Sequence, residues 1–177
     1  MILLMGVAGA GKSLEGRRLA DELGLPWLST GEFLRMLVSG KRRKEMHAGK
    51  LLGDNEIIEL ADKIFRIINT REEFILDGFP RSLGQADWLF AQHKAGLMTI
   101  TCVLYLEASE KVVKQRLLSR GRQDDTEESI TKRFAEYKAV TVPILNDLEA
   151  KGIAVYHINA EQAPDQVHQD ILKVLKK

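Results

Sequence analysis

Apolar positions along the chain switch repeatedly between a continuous run and a helical period. Met1 to Met5 is unbroken apolar sequence, the pattern of a strand covered on both faces. After a glycine-rich turn, Leu14, Leu19, Ala20 and Leu23 recur at near-helical spacing, with Arg17, Arg18, Asp21 and Glu22 largely on other faces and Gly24 as a stop. Pro26-Trp27-Leu28 is a short second strand. Ser29 is placed as the N-cap of the next helix, with Glu32 three residues on as in a capping box. From Phe33 to Gly53 the pattern breaks into short helical pieces. Ile57, Ile58, Ala61, Ile64, Phe65 and Ile68 then trace an amphipathic helix ending near Asn69.

The second half continues in the same alternation. Phe74 to Asp77 is a strand ending in an acid, Leu83 to Lys94 is helical, and Thr99 to Leu106 is the most obvious buried strand. Ser109 is positioned to cap a helix carrying Val112, Val113 and Leu117. Thr126 opens a long helix with Ile130, Phe134, Tyr137, Thr141, Ile144, Leu145 and Leu148 on one side, which Pro143 must kink or divide and Gly152 closes. Ala154 to Ile158 is a fifth strand. A last helix follows Pro164, turns Val167, Ile171, Val174 and Leu175 inward, and ends on lysines that complement its dipole.

Five strands alternating with helices predict an α/β fold: a parallel sheet covered by helices on both faces, with right-handed crossovers. The strand order is not contained in that pattern. At 177 residues, with 45% hydrophobic and 29% charged residues, the chain has the profile of one soluble globular domain. Lys and Arg number 26 against 25 Asp and Glu, a net charge of +1, so any anion recognition must be local rather than the work of a global field. The single cysteine, Cys102, excludes an intrachain disulfide and a cysteine-rich zinc site, and its apolar neighbours make it a core thiol. The four histidines lack metal-ligand spacing, and Trp27 and Trp88 read as packing residues. No apolar run reaches the roughly 20 residues that span a bilayer, and no leader pattern precedes the first strand, so the expected location is cytoplasmic.

The candidate chemistry begins where the first strand ends. Gly6-Val7-Ala8-Gly9-Ala10-Gly11-Lys12-Ser13 fits the spacing of a phosphate cradle, in which backbone N–H groups turn onto polyphosphate oxygens, the lysine reaches the outer phosphates and the hydroxyl meets Mg²⁺. The following helix start favours anions. In a doubly wound sheet Asp77, at the carboxyl end of its strand, falls near that cradle and can hold Mg²⁺ through water; a turn aspartate before glycine is the structural alternative. Arg116 and Arg120 are four apart on one helix face, with Arg122 just beyond, so their charges repel unless an anion visits or nearby acids such as Asp124, Asp125, Glu127 and Glu128 pair with them. The run Lys41-Arg42-Arg43-Lys44 reads as a solvated face, with nucleic-acid binding as the alternative.

Several longer segments together resemble the adenylate kinases and, more broadly, the nucleoside monophosphate kinases, over nearly the whole length. Ser29-Thr30-Gly31-Glu32-Phe33-Leu34-Arg35 resembles that family's STGD-x-LR segment, and Ala48-Gly49-Lys50-Leu51-Leu52 its AGKLV. Asp77-Gly78-Phe79-Pro80-Arg81 with Gln85 is similar to DGFPR-x-x-x-Q, and Arg122 to Asp125 with Lys132-Arg133 and Tyr137 is similar to R-x-DD followed by KR-x-x-x-Y.

The resemblance implies a three-layer P-loop kinase fold in one domain over residues 1–177, with a small acceptor-binding segment at roughly 29–52 and a very short lid at roughly 119–125. It implies Mg²⁺-dependent phosphoryl transfer from ATP to AMP giving two ADP, by a monomer that binds ATP, AMP and ADP but neither nucleic acid nor membrane and needs no zinc. Gly9, Ala10, Gly11, Lys12, Ser13 and Leu14 would bind ATP, together with Arg120 at its transferring group and Arg116 and Gln162 near its base. Thr30, Gly31, Arg35, Lys50, Leu51, Leu52, Gly78, Phe79, Pro80, Arg81 and Gln85 would bind AMP, with Arg122 and Arg133 shared. Lys12, Arg81, Arg120, Arg122 and Arg133 would stabilise the moving phosphoryl group, and Ser13 and Asp77 would meet Mg²⁺.

The chain departs from the family pattern in three places. The usual G-K-G-T-Q is Gly11-Lys12-Ser13-Leu14-Glu15, in which Leu14 has no hydroxyl to offer. The segment between Arg35 and Lys50 is several residues shorter than usual, and the lid is little more than Arg120-Gly121-Arg122. A kinase for another nucleoside monophosphate, or a nucleotide-binding regulatory protein with weak transfer, are the alternatives these departures raise.

Overall fold

A computed structural model describes residues 1–37, 53–122 and 125–176. The helical pieces expected across 38–52, the basic run Lys41 to Lys44 and the candidate residues Lys50, Leu51 and Leu52 lie outside the described residues, as does Asp124.

The strands are β1 (Ile2–Met5), β2 (Trp27–Ser29), β3 (Ile75–Asp77), β4 (Cys102–Glu107) and β5 (Val155–Asn159). They form one five-stranded sheet in the order β2-β3-β1-β4-β5, every pairing parallel. Helices follow as α1 (Lys12–Leu23), α2 (Thr30–Leu37), α3 (Asp54–Ile67), α4 (Leu83–Lys94), α5 (Glu110–Arg120), α6 (Glu127–Glu136), α7 (Val142–Ala150) and α8 (Pro164–Leu175). Among the described residues no helix is long and apolar enough to cross a membrane.

The period of two in β1 divides the core. Leu3 and Met5 join Phe65 of α3, Leu89 of α4 and Ile144 and Leu148 of α7 on one face. Ile2 and Leu4 join Leu19 of α1, Val113 and Leu117 of α5, Phe134 of α6 and Ile171 of α8 on the other. Trp88 confirms its packing role, its ring 5.9 Å from Phe65 and 6.0 Å from Phe79. Trp27 packs so closely on α1 that a Cβ at Gly16 would lie 2.2 Å from its indole nitrogen, which is why this helix carries a glycine in its interior. Arg17 covers the other side of that ring, 5.0 Å from its centroid. Cys102 is buried, and burial pushes its thiol up to about 11.

Local expectations are met with informative differences. Ser29 accepts a hydrogen bond from the Glu32 N–H at 3.4 Å, but the Glu32 carboxylate takes Arg17 at 2.6 Å, so only half of the capping box forms. Ser109 stands at the N-cap of α5 without a side-chain cap; its N–H instead donates to Glu161 Oε1 at 2.6 Å. Thr126 caps α6 by accepting from Ser129 N–H at 3.2 Å. Pro143 does divide the long helix, because its missing N–H cannot extend the α ladder: one π-helical turn, Tyr137–Thr141, separates α6 from α7, with Pro143 in the first turn of α7.

Candidate active site

The loops after β1 and β3 emerge side by side because those strands pair, with Leu4 opposite Asp77. This is the carboxyl end of the sheet, where β1 lies between β3 and β4 and the chain changes direction. The first loop is the glycine-rich turn. Gly6 has φ +145°, and a Cβ there would stand 2.6 Å from the Leu106 carbonyl, so the loop rests directly on β4. Gly9 faces α5 in the same way: a Cβ there would lie 2.9 Å from Leu117 Cγ. Gly11 precedes α1, and N–H groups of Leu14 and Glu15 return to its carbonyl at 2.9 and 3.0 Å.

Lys12 curls back over this turn and donates to the carbonyls of Gly6 at 2.6 Å and Val7 at 2.9 Å. Burial pushes its pKa down to about 8; Asp77 pulls it up, while Arg81 and Arg120 press it down. Ser13 donates its hydroxyl to Asp77 Oδ2 at 2.8 Å across 64 residues of sequence, and Asp77 is almost fully buried. A hydroxyl and a carboxylate side by side at the cradle are hard oxygen donors, and they fit a Mg²⁺ ion that keeps several waters and takes its other ligands from phosphate. Leu14 is 49% exposed on the same first turn, an apolar group where the sequence pattern calls for a hydroxyl.

On the other side of Asp77 lies the loop Gly78-Phe79-Pro80-Arg81, with a cis Phe79–Pro80 peptide. Thr30, at the start of α2, donates to the carbonyls of Asp77 at 3.1 Å and Gly78 at 2.8 Å, and Gly31 follows it in the same turn. Arg81 Nε donates to the Gly78 carbonyl at 2.8 Å, and burial and the charge of Arg133 lower its pKa while Asp77 raises it. Gln85 is buried with both ends of its carboxamide in use: Oε1 accepts Arg81 N–H at 2.8 Å and Nε2 donates to Asp54 Oδ1 at 2.8 Å. The backbone of Arg35 lies in α2; its side chain is outside the described residues.

At the end of α5, Arg120 grips Asp125 with two hydrogen bonds of 2.8 and 2.7 Å, the Arg122 N–H reaches the same carboxylate at 3.3 Å, and Arg133 of α6 lies 3.7 Å from it. The acid pairing considered from the sequence is thus realised, by Asp125. Arg116 donates to the Ala160 carbonyl at 2.8 Å, and Gln162 donates to Asn159 O at 3.1 Å and Asp170 Oδ2 at 3.0 Å, which places both on the loop after β5.

Two residues escaped the sequence reading. Asp54, the first residue of α3, orients Gln85, and Thr141 in the π turn donates to the Arg81 carbonyl at 3.4 Å. Asp54 carried only the generic signal of an acid in a first helical turn, and its partner 31 residues on is a matter of tertiary packing.

A parallel sheet with a glycine-rich anion turn after its first strand, a lysine in that turn and cations gathered round Asp77 defines a P-loop nucleotide-binding protein. Comparison with known proteins narrows the class. The family model described as adenylate kinase matches residues 4–153. The adenylate kinase of Corynebacterium urealyticum is 33% identical over 182 residues, covering 99% of each chain. That of Synechococcus sp. is 32% identical, covering 98% of this chain and 97% of its own. That of Oenococcus oeni is 33% identical, covering 98% and 96%. The chain belongs to the adenylate kinase family.

Proposed function

We propose that this chain catalyses reversible phosphoryl transfer from Mg·ATP to AMP, giving two ADP. The observation that carries the reading is the convergence of Lys12, Arg81, Arg120 and Arg133 on one buried carboxylate region, Asp77 and Asp125, between the loops after β1 and β3 and the ends of α5 and α6. Phosphoryl transfer asks little covalent chemistry of a protein: two anionic nucleotides must be aligned and the moving charge neutralised.

Gly9, Ala10, Gly11, Lys12, Ser13 and Leu14 form the donor phosphate seat in this reading, with the base against Arg116 and Gln162. Lys12 leaves the Gly6 and Val7 carbonyls for the outer phosphates. Arg120, Arg122 and Arg133 take the transferring group, and Arg120 exchanges Asp125 for phosphate oxygens that accept its fork equally well. Thr30, Gly31, Gly78, Phe79, Pro80, Arg81 and Gln85 form the acceptor side, with Arg35, Lys50, Leu51 and Leu52 completing it. Mg²⁺, when bound, neutralises charge on the donor phosphates, and Ser13 and Asp77 hold it partly through water. Segment 29–52 acts as the acceptor-binding part and 119–125 as the lid of a single monomeric domain, working in the cytoplasm without zinc.

Incubation with ATP, AMP and Mg²⁺ yields two ADP per ATP consumed, and chelation of the metal stops it. A panel of AMP, dAMP, CMP, UMP and GMP places AMP first; equal rates with CMP or UMP would replace the acceptor assignment, and nucleotide binding without ADP would replace the activity.

A further inference from the structure

Glu15 is a buried acid in an unfavourable place for an anion site. It is 2% exposed and sits in the first turn of α1, two residues after Ser13 and within one helical turn of Lys12. A carboxylate there complements the dipole of the empty helix, but it opposes any polyphosphate arriving at the same N-terminus. The compensation comes from the opposite end of the chain. His168 of α8 is 4% exposed and places Nδ1 2.9 Å from Glu15 Oε2 and Nε2 2.8 Å from Glu22 Oε2. Ionised carboxylates only accept hydrogen bonds, and a neutral imidazole has one N–H, so satisfying both contacts takes a ring protonated on both nitrogens. Arg18 stands 3.9 Å from Glu15 and bonds Asp165 at 2.8 Å, while Glu22 is half exposed, so the excess negative charge of the cluster faces solvent and not the cradle. The rest of the inner face of α8 at this level, Ile171 and Leu172, is apolar.

We infer that His168 is a positioning residue for the donor nucleotide: as an imidazolium it cancels the Glu15 carboxylate beside the cradle, so that the helix N-terminus remains open to polyphosphate. This rests on the cradle holding the donor. It also accounts for the departure at Ser13-Leu14-Glu15, because an acid in the first turn is tolerated when a buried cation accompanies it.

Three variants test it: His168→Gln, Glu15→Gln and the double variant, each checked for folding by circular dichroism and assayed for KM of ATP, KM of AMP and kcat. His168→Gln leaves Glu15 with only Arg18, 3.9 Å away and shared with Asp165, and raises KM and Kd for ATP about tenfold, with kcat and KM of AMP within about twofold. Glu15→Gln leaves ATP affinity at or above the parent level. The double variant returns KM of ATP to within about twofold of the parent, a rescue that a merely structural contact would not produce. A folded His168→Gln variant with parental ATP affinity overturns the proposal, as does a double variant that keeps the rise. If His168→Gln does not fold, ¹⁵N NMR of the parent protein at pH 7 decides: two N–H signals from the His168 ring support it and one bare nitrogen overturns it. Lys12→Met serves as the reference. Unchanged ATP binding in Lys12→Met defeats the cradle reading itself, whereas lost binding there beside an unaffected His168→Gln defeats this inference alone.

Discussion

Lys12 and Arg120 stand at the same end of the sheet, yet their charges are employed differently. Lys12 donates to two main-chain carbonyls, dipoles that hold the ammonium without neutralising it. Arg120 is already committed to Asp125, a carboxylate whose side chain is fully shielded from solvent. Desolvation of the buried Lys12 outweighs the pull of Asp77, and the charges of Arg81 and Arg120 add to it, so its pKa falls to about 8. Arg120, paired in a fork, must give up one anion before it can hold another. In the proposed reading the lysine of the glycine-rich turn is therefore charged and waiting, while Arg120 begins from a neutralised pair that phosphate has to displace.

The comparison breaks most severely at its centre. Lys12→Met should lower kcat for ADP formation by about 10³-fold in a variant with unchanged circular dichroism, since a preorganised donor at the developing charge is worth about that much. Near-parental turnover would mean that the cradle cation is not catalytic. Arg81→Ala should cost about 10²-fold and raise KM for AMP more than KM for ATP. The reverse order of KM effects would move Arg81 to the donor side.

Asp125→Asn sharpens the difference between the two cations. Removing one partner of a shielded pair, with Arg120 itself one-third exposed, should cost about 2 kcal/mol of stability and lower Tm by several degrees, while ATP affinity stays level or rises because Arg120 is released. A variant that loses both stability and ATP affinity would show that Asp125 shapes the lid instead of holding a place for phosphate.

The lysine also carries a pH signature. Its folded value of about 8 lies below the ordinary lysine value of 10.5 that holds in an unfolded chain. Between those values the unfolded state binds more protons, so this group's contribution to stability rises with pH across that window. Function runs the other way. In the free protein the ammonium is lost above about pH 8, so kcat/KM for ATP should decline there, while kcat at saturating ATP stays flat to higher pH because bound phosphate holds the proton in place. A pH–rate profile of both parameters checks this. The smallest expected effect is at Asp54→Ala, which frees the Gln85 carboxamide to flip and should raise KM for AMP about fivefold with kcat unchanged, an energy on the scale of one hydrogen bond.

Most strands and helices and the glycine-rich turn were legible in the sequence, because each is decided by neighbours. The unbroken apolar run of Met1 to Met5, the capping Thr126, the dividing Pro143 and the glycines of the first turn act within a few residues of themselves. The half-made capping box at Ser29 shows the limit of such reading: Glu32 fits the local pattern, but Arg17, brought near by packing, offers a charged partner and takes it. The sequence by itself determined the class of fold, the glycine-rich turn and the family.

Only the tertiary structure decided which of the many acids each cation meets. Ser13 finds Asp77 because β3 pairs with β1, and Gln85 is turned by Asp54 because α4 packs on α3. Glu15 is matched to His168, 153 residues away, because α8 returns to lie on α1. Hydrophobic period specifies that a face is buried without specifying against what. The charges that ride on those faces acquire partners only when the strand order is set.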